Sequence, residues 1–357
     1  MSLVDTYPDQ IEKLKNAFER GDLSLYLGAG VSMPSGLPSW EQLVLMLYYD
    51  TLGADITFPL QPFPNYLMAI AEWMLGEKKE SLDTIIRKIK RTWGNNFYDL
   101  LKQNLYLNFS ENGMPVLPPG LLEANRTLES VVRLCAASVP GTSGVKSVIT
   151  YNYDDLLEIG LKKINRNNDF STVWASDTVL EEDRIPIYHV HGFIPFEGEG
   201  SGMDDMVFSE EQYNEAYQNA YFWGNMIQMQ SMSNDTGLLV GISLADRNIR
   251  RLLDAIKRAP LLSENYLLIR KPKYTVPEPD SGDIKYINKR ALEYLEIMAY
   301  SGIKKEHKAY DQITGIITQI YDFEKNYFND IYSDFGLEVL WYDDHDEVHD
   351  FICKIFE

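Results

Sequence analysis

Four polar residues that could do chemistry come directly after apolar runs of the sequence. Asn152 and Asp154 follow VKSVIT within TYNYD, His191 precedes a glycine in HVHG, and Ser243 follows LLVGI. A histidine can act as a general base near neutral pH, and an asparagine amide can orient a water molecule or a sugar hydroxyl. Taken alone, an asparagine after a strand more often forms a turn, and an isolated histidine is more often structural. Chemistry is expected only if the fold brings these residues together.

A glycine-rich corner precedes these segments in the sequence. Alternating leucines predict a strand over residues 23–27. Gly28 and Gly30 let the following backbone adopt positive φ angles and approach a ligand closely, because neither residue has a Cβ. A capping box of Ser39 with Gln42 predicts a helix that begins one residue later. Strand, glycine turn and helix start together predict an anion-binding corner; a plain glycine-rich turn is the alternative.

Two other histidines suggest a metal site at first sight. His345 and His349 are four residues apart in HDEVH, the spacing of two ligands on one helical face. The zinc-protease pattern requires glutamate after the first histidine, where this chain has Asp346. We therefore predict a solvated acidic helix. The two cysteines, Cys135 and Cys353, are too few for a disulfide framework or a four-cysteine zinc site.

The elements that must position the polar residues alternate between strand and helix. Strand patterns end near residues 27, 150, 191, 240, 270 and 342, and most lead into a glycine or polar loop and then a helix. This order predicts an α/β fold with a doubly wound, Rossmann-like parallel sheet, which binds ligands at the carboxyl ends of its strands. The polar residues would then meet at one edge of the sheet.

We predict that residues 1–357 form a single domain. Residues 51–144 contain only helical patterns and are predicted to be a helical insertion, with a proline-rich loop at residues 112–120. Residues 285–357 are predicted to supply helices, a last strand and a terminal helix that complete the core. A capping box at Ser209 predicts a long helix through Met232.

Composition limits the partners. The chain has 357 residues, is 45% hydrophobic and has a net charge of -20. Clustered lysine and arginine would be needed to bind phosphate backbones, so the charge argues against nucleic-acid binding. The N-terminus lacks the basic and apolar regions of a signal peptide, and no apolar run of about 18 residues suggests a membrane span. A soluble cytoplasmic protein is expected.

In combination, four segments resemble the sirtuin-like NAD-consuming domains. GAGVSMPSGLPSW, TYNYD, HVHG and GISLAD occur in the order of that family, over roughly residues 20 to 270. The resemblance implies a sirtuin-like core with NAD as substrate, and it implies that Asn152 and His191 are catalytic. The residues it assigns to NAD binding are Gly28, Ala29, Gly30, Ser32, Trp40, Asp154, Gly241, Ser243 and Asp246.

Two departures bear on the reaction. The chain has Pro38-Ser39-Trp40-Glu41 where protein-deacetylating sirtuins have Pro-Asp-Phe-Arg, and the four-cysteine zinc module is absent. Zinc-free relatives act in prokaryotic antiviral defence, so the resemblance implies an NAD glycohydrolase that needs no metal and releases nicotinamide and ADP-ribose.

The resemblance also suggests how such an activity is restrained. A homo-oligomer is one expectation, and a separately encoded HerA-type ATPase is a candidate partner. Two alternatives to hydrolysis stay open at this point. One is a non-catalytic scaffold that binds NAD or ADP-ribose, and the other is a protein deacetylase or ADP-ribosyltransferase.

Overall fold

A seven-stranded parallel β-sheet forms the centre of the fold. The computed structural model describes residues 2–55, 82–111, 114–139, 141–166, 169–178, 180–181, 183–202, 206–208, 212, 219, 221–244, 246–257, 264–271, 323 and 325–357. The helical pattern at residues 64–75, within the predicted insertion, and the one at residues 287–300, within the predicted C-terminal helices, lie outside the described residues.

The sheet confirms the predicted architecture. The strands are β1 Leu23–Leu27, β2 Ser110–Glu111, β3 Met114–Pro115, β4 Val145–Thr150, β5 Phe170–Val173, β6 Ile185–His189, β7 Thr236–Val240, β8 Asn265–Arg270 and β9 Leu337–Tyr342. All except β2 and β3 join one sheet in the order β5-β6-β4-β1-β7-β8-β9, and every neighbouring pair is parallel. The doubly wound α/β class is therefore the observed one.

Helices connect and flank the strands. The described helices are α1 Leu3–Thr6, α2 Pro8–Glu19, α3 Ala29–Ser32, α4 Trp40–Asp55, α5 Leu82–Trp93, α6 Phe97–Leu105, α7 Leu121–Ala124, α8 Arg126–Ala136, α9 Leu156–Lys163, α10 Trp223–Asn234, α11 Arg247–Lys257 and α12 His345–Phe356. Residues 325–334 are also helical. None of the helices in the described ranges has the length and apolar character needed to cross a membrane.

Strand β1 lies in the middle of the sheet and is buried on both faces. Leu25 pairs with Val148 of β4 and Leu238 of β7, and these three belong to the same core cluster as residues of α2, α8 and α12. Successive side chains of a strand point to opposite faces. The next residue of each strand therefore faces the other side, and all three are buried there: Tyr26, Ile149 and Leu239. Burial on both faces explains the apolar character of β1.

The chain divides into two compact units. The first comprises Met1–Arg270 and Phe335–Glu357 and contains the whole parallel sheet. The second comprises Lys271–Asp334, of which the structure describes Lys271, Phe323 and the helical residues 325–334. The single-domain organisation and the bounds of the insertion stay predictions.

The capping box at Ser39 gave an accurate helix start. Helix α4 begins at Trp40, with the Gln42 N–H donating to Ser39 Oγ at 3.2 Å and the Ser39 N–H donating to Gln42 Oε1 at 2.9 Å. This reciprocal pair satisfies two backbone donors at the helix start. The predicted corner therefore has the expected strand and helix on its two sides.

The long helix predicted from Ser209 through Met232 is wrong. Helix α10 begins only at Trp223, and Asn219, Tyr221 and Phe222 are not helical. The Tyr221 N–H donates to Asn219 Oδ1 at 3.0 Å, so the asparagine side chain forms a local turn in place of a helical hydrogen bond. The capping pattern at Ser209 did not reveal this interruption.

Two strand features were not predicted. Strand β5 is a four-residue edge strand whose one partner in the sheet is β6, so its stability depends on that neighbouring strand. The two-residue strands β2 and β3 form an antiparallel ribbon inside the region where only helices were expected. Both features are too short for a hydrophobic period to be recognised.

Candidate active site

The predicted site residues follow four adjacent strands of the sheet. In the order of the sheet these strands are β6, β4, β1 and β7. The loops after them carry His191, then Asn152 and Asp154, then the glycine corner, then Gly241 to Asp246. Because the strands are parallel, these loops share the carboxyl edge, where ligands bind in open α/β sheets.

The glycine corner after β1 joins the turn after β7 by backbone contact. The Gly28 N–H donates to the Val240 carbonyl and the Gly30 N–H donates to the Gly241 carbonyl, both at 3.0 Å. A Cβ on Gly28 would lie 2.5 Å from the Gly241 oxygen, and a Cβ on Gly30 would lie 2.7 Å from the Gly241 Cα. The two glycines therefore let two backbone corners interlock.

The positive φ angles expected at these glycines are wrong. Gly28 has φ -114, and Gly30 lies within the short helix α3. Gly241, which they contact in the opposite turn, has a positive φ of 68. The absence of a Cβ is still required at Gly28 and Gly30, but the reason is the close approach of Gly241 and not a left-handed turn.

The Asn152 side chain is attached to the glycine corner. Its Nδ2 donates to the Gly28 carbonyl at 3.0 Å and to Ser32 Oγ at 3.1 Å. Its main-chain N–H donates to Thr150 Oγ1 at 3.1 Å, and its carbonyl oxygen lies 3.1 Å from His189 Nδ1. An amide held through its Nδ2 offers its Oδ1 as an acceptor for a water molecule or a hydroxyl.

Asp154 lies beneath the same corner and is buried. Its Oδ1 accepts a hydrogen bond from Ser32 Oγ at 3.0 Å and another from the Leu156 N–H at 3.2 Å. Burial raises the pKa of the Asp154 carboxyl to about 6, and the two hydrogen bonds offset part of the rise. Ser32 thus links Asp154 to Asn152 through one hydroxyl.

His191 faces a carboxylate from the neighbouring loop. Its Nε2 lies 3.5 Å from Asp246 Oδ2, and its imidazole also hydrogen-bonds to the main chain of Tyr151. Asp246 Oδ1 accepts from the Asn248 N–H at 2.6 Å, so the same carboxylate caps α11. Burial lowers the pKa of His191, and Asp246 offsets part of that effect. The imidazole is therefore neutral at pH 7 and able to accept a proton.

His191 and Asn152 are brought close through Tyr151. The Tyr151 and His191 rings meet edge to face, with their centroids 5.3 Å apart, and Tyr151 is the residue before Asn152. The structure therefore gathers both predicted catalytic residues at one end of β4 and β6. It connects Asn152, Ser32, Asp154 and Gly28 in one hydrogen-bonded cluster.

Three other predicted residues are less connected to this cluster. Ala29 and Ser243 are exposed at the tips of the two interlocked turns. Trp40 is half-buried and packs edge-on against Phe208, with ring centroids 4.7 Å apart. The roles of these three and of all the other predicted site residues, in catalysis and in NAD binding, stay predictions.

Sequence reasoning missed two buried acids below the site. Glu158 Oε1 lies 2.9 Å from His189 Nε2, and Asp155 Oδ1 accepts from the Tyr106 hydroxyl at 3.0 Å and from the Phe196 N–H at 2.9 Å. Both acids follow TYNYD closely in sequence. Asp155 directly precedes α9 and Glu158 lies in its first turn, and their closeness in sequence to TYNYD was the available signal.

The histidines of HDEVH have structural partners. His349 Nδ1 lies 2.9 Å from Asp350 Oδ1 and 3.0 Å from an Arg126 nitrogen. Helix α12 is solvated on one face only, since Val348 and Phe351 are buried. Among the residues described, no group of three or more metal-ligating side chains is present. The absence of a metal requirement stays a prediction.

The parallel sheet, the glycine corner and the Asn152 and His191 loops together resemble a sirtuin-like α/β domain. Residues 146–295 match the family model described as the SIR2-like domain. The chain is also 25% identical over 322 residues to the NAD(+) hydrolase ThsA of Enterococcus faecium. That alignment covers 87% of this chain and 57% of the relative, so this chain corresponds to less than two thirds of that protein. The sirtuin-like resemblance predicted from the four segments is confirmed.

Proposed function

We propose that this chain hydrolyses the glycosidic bond between nicotinamide and ribose in NAD, releasing nicotinamide and ADP-ribose. One observation carries the proposal. A neutral buried histidine and an asparagine amide fastened to a glycine corner meet at the carboxyl edge of a sirtuin-like sheet. The similarity to a relative named as an NAD(+) hydrolase supports the same reaction.

The proposed reaction requires the protein mainly to position the water, the ribose and the group that accepts a proton. The nicotinamide ring of NAD is a cationic pyridinium that leaves as neutral nicotinamide, so bond cleavage builds oxocarbenium charge on the ribose carbon. Asn152 would orient the attacking water or the ribose through its Oδ1. His191 would accept a proton from that water or from a ribose hydroxyl, and general-base catalysis typically contributes about 10²–10⁴-fold.

Water is the simplest acceptor for this site. The deacetylase pattern requires an arginine where this chain has Glu41, and it requires a zinc module that two cysteines cannot build. The proposed biological role is depletion of NAD during antiviral defence, in the cytoplasm. A homo-oligomer and a HerA-type ATPase are proposed restraints, and both proposals depend on family resemblance alone.

The direct test incubates the purified protein with NAD, with and without an acetylated peptide, and measures nicotinamide and ADP-ribose. We expect both products in equal amounts without the peptide. Turnover that depends on the peptide would identify a deacetylase. Binding of NAD without turnover in any assembly state would identify a scaffold instead.

Asn152→Ala and His191→Ala should each lower kcat by at least about 10²-fold while the protein stays folded, because each removes a group proposed to act on the reacting atoms. The controls are Asn234→Ala, an exposed asparagine on α10, and His349→Ala on α12. Both controls should keep near-normal turnover. Near-normal activity in Asn152→Ala and His191→Ala would show that the chemistry lies elsewhere.

A further inference from the structure

His189 lies at the end of β6 with hydrogen-bond acceptors on both sides of its ring. Its side chain is fully buried, with Nδ1 3.1 Å from the Asn152 carbonyl oxygen and Nε2 2.9 Å from Glu158 Oε1. A carbonyl oxygen only accepts, so Nδ1 must carry a hydrogen. With Glu158 ionised, its carboxylate also only accepts, so Nε2 carries one too. The pair is then an imidazolium and a carboxylate.

The surroundings favour this charged form. Burial by itself lowers the pKa of His189, but the charge and hydrogen bond of Glu158, the Asn152 carbonyl and the charge of Asp154 outweigh it, so the pKa is raised. The Thr172 hydroxyl donates a second hydrogen bond to Glu158 Oε1 at 3.1 Å. Two other titratable groups interact with Glu158: Cys135 on α8, whose thiol is neutral because burial raises its pKa to about 12, and Asp155, whose pKa is also raised by burial.

The pair contacts the main chain of Asn152 directly. The Asn152 N–H is held by Thr150 Oγ1, and its carbonyl is held by His189. With both polar groups of its backbone bound, the residue has little freedom to rotate. Ser32, Asn152, Asp154, Glu158 and His189 also line one small cavity, so the pair lies directly behind the corner that holds the Asn152 amide.

We propose that His189 and Glu158 form a charged positioning pair that holds the Asn152 backbone, and thereby its amide, in the orientation that the reaction requires. The catalytic consequence depends on the proposed function. The charge state of the pair and its effect on Asn152 do not. His189 is a positioning residue, distinct from His191, because it acts through Asn152: its ring contacts Asn152, Glu158 and the Phe193 ring.

The first experiment measures the protonation of His189 by ¹⁵N NMR of the full chain, with the resonance assigned by its loss in His189→Gln. Both ring nitrogens should be protonated at pH 7.0 in the wild-type protein. In Glu158→Gln the ring should become neutral at the same pH, because its anionic partner is gone. A wild-type His189 that is neutral at pH 7.0 would overturn the charged pair, whether or not NAD is turned over.

The second experiment compares two double variants, His189→Asn with Glu158→Gln and His189→Gln with Glu158→Gln. Neither leaves a buried unpaired charge. The asparagine can place a donor where His189 Nδ1 lay, whereas the glutamine places its amide where Nε2 lay. We expect kcat within about fivefold of wild type for the asparagine variant and a fall of about 10–100-fold for the glutamine variant, because small misplacements of a reacting group are costly. KM for NAD should change little in either.

Equal kcat in the two double variants, or an effect on KM alone, would overturn the positioning role. His349→Gln is the matched control and should behave as wild type. If the wild-type protein releases no nicotinamide, the proposed function fails and the pair is judged by the side-chain NH₂ resonances of Asn152. These should shift in the glutamine variant and stay in place in the asparagine variant; the same shift in both would overturn the pair.

Discussion

At the scale of single residues, the two buried histidines at the end of β6 have pKa values shifted in opposite directions. His189 meets Glu158 at 2.9 Å and has a raised pKa, whereas His191 meets Asp246 at 3.5 Å and has a lowered pKa. Because the contact with Asp246 is longer, burial dominates at His191. One sequence segment, HVHG, therefore supplies a charged structural histidine and a neutral one suited to accept a proton.

The lowered pKa of His191 predicts the pH dependence of turnover. The base must be neutral, so kcat/KM should rise with pH through the pKa of His191, below the ordinary histidine value of about 6.5, and level off above it. Asp246→Asn removes the charge that raises this pKa, so the acid limb should move to lower pH. Steady-state rates between pH 5 and pH 8 measure the acid limb of the wild-type protein and that of Asp246→Asn.

Asp254→Asn, an exposed substitution on α11, is the control and should keep the wild-type profile. An acid limb that moves to higher pH in Asp246→Asn would contradict the electrostatic account of His191. So would a wild-type limb centred above pH 7.

At the scale of elements, the site depends on two turns that interlock. The turn after β1 and the turn after β7 approach so closely that neither Gly28 nor Gly30 has room for a side chain. Asn152, from the loop after β4, then attaches to the same turn through Gly28 and Ser32. The three loops form one unit because β4, β1 and β7 are adjacent.

Gly28→Ala and Gly30→Ala should each destabilise the protein by about 1–3 kcal/mol, because the added methyl group overpacks against the Gly241 backbone. Turnover should fall at least about tenfold, since the Asn152 amide is bonded to the displaced corner. Urea unfolding and NAD turnover measure the two effects.

Gly198→Ala is the matched control, because a Cβ there meets nothing within 4 Å although its φ is 86. Only the left-handed backbone opposes that substitution, which costs about 1–2 kcal/mol, and turnover should be unchanged. If both corner variants were as active as Gly198→Ala, the interlock would have no part in the site.

At the scale of the sheet-bearing unit, the two ends of the chain close one core. The Leu3 N–H donates to Glu347 Oε2 at 2.8 Å, and the Trp341 N–H donates to the Tyr7 hydroxyl at 3.1 Å. Phe351 of α12 is fully buried in the core cluster that also contains Leu14 of α2 and Val131 of α8. The last strand and helix therefore stabilise the sheet without contributing any of the predicted site residues.

Phe351→Ala should lower the free energy of unfolding by about 3–5 kcal/mol, because it leaves a cavity in the core. Turnover per folded molecule should stay unchanged, since the predicted site residues come from other elements. Denaturant unfolding with turnover measured on the folded fraction tests both statements. Lys354→Ala, exposed on the same helix, should cost less than about 0.5 kcal/mol. A loss below about 1 kcal/mol for Phe351→Ala would contradict a closed core at α12.

The features that the sequence determined by itself are those encoded locally. Apolar alternation located β1, and the Ser39 and Gln42 capping box located the start of α4 within one residue. Polar residues directly after the strands indicated the carboxyl edge of a parallel sheet. The four motifs together then predicted the sirtuin-like class, although each motif alone was weak.

The features decided by the tertiary structure are those that need a partner far away in sequence. No local signal shows that Gly28 and Gly30 meet Gly241, because that contact exists only when β1 and β7 lie side by side. The pairing of His189 with Glu158 likewise requires α9 to pack below the end of β6. A hydrophobic period reports which face of an element is buried, but it carries no information about which element covers that face. The sequence therefore determined the kind of sheet edge on which the chemistry is proposed, which is the carboxyl edge of a parallel sheet. The packing of the sheet determined which side chains hold Asn152 and His191 at that edge.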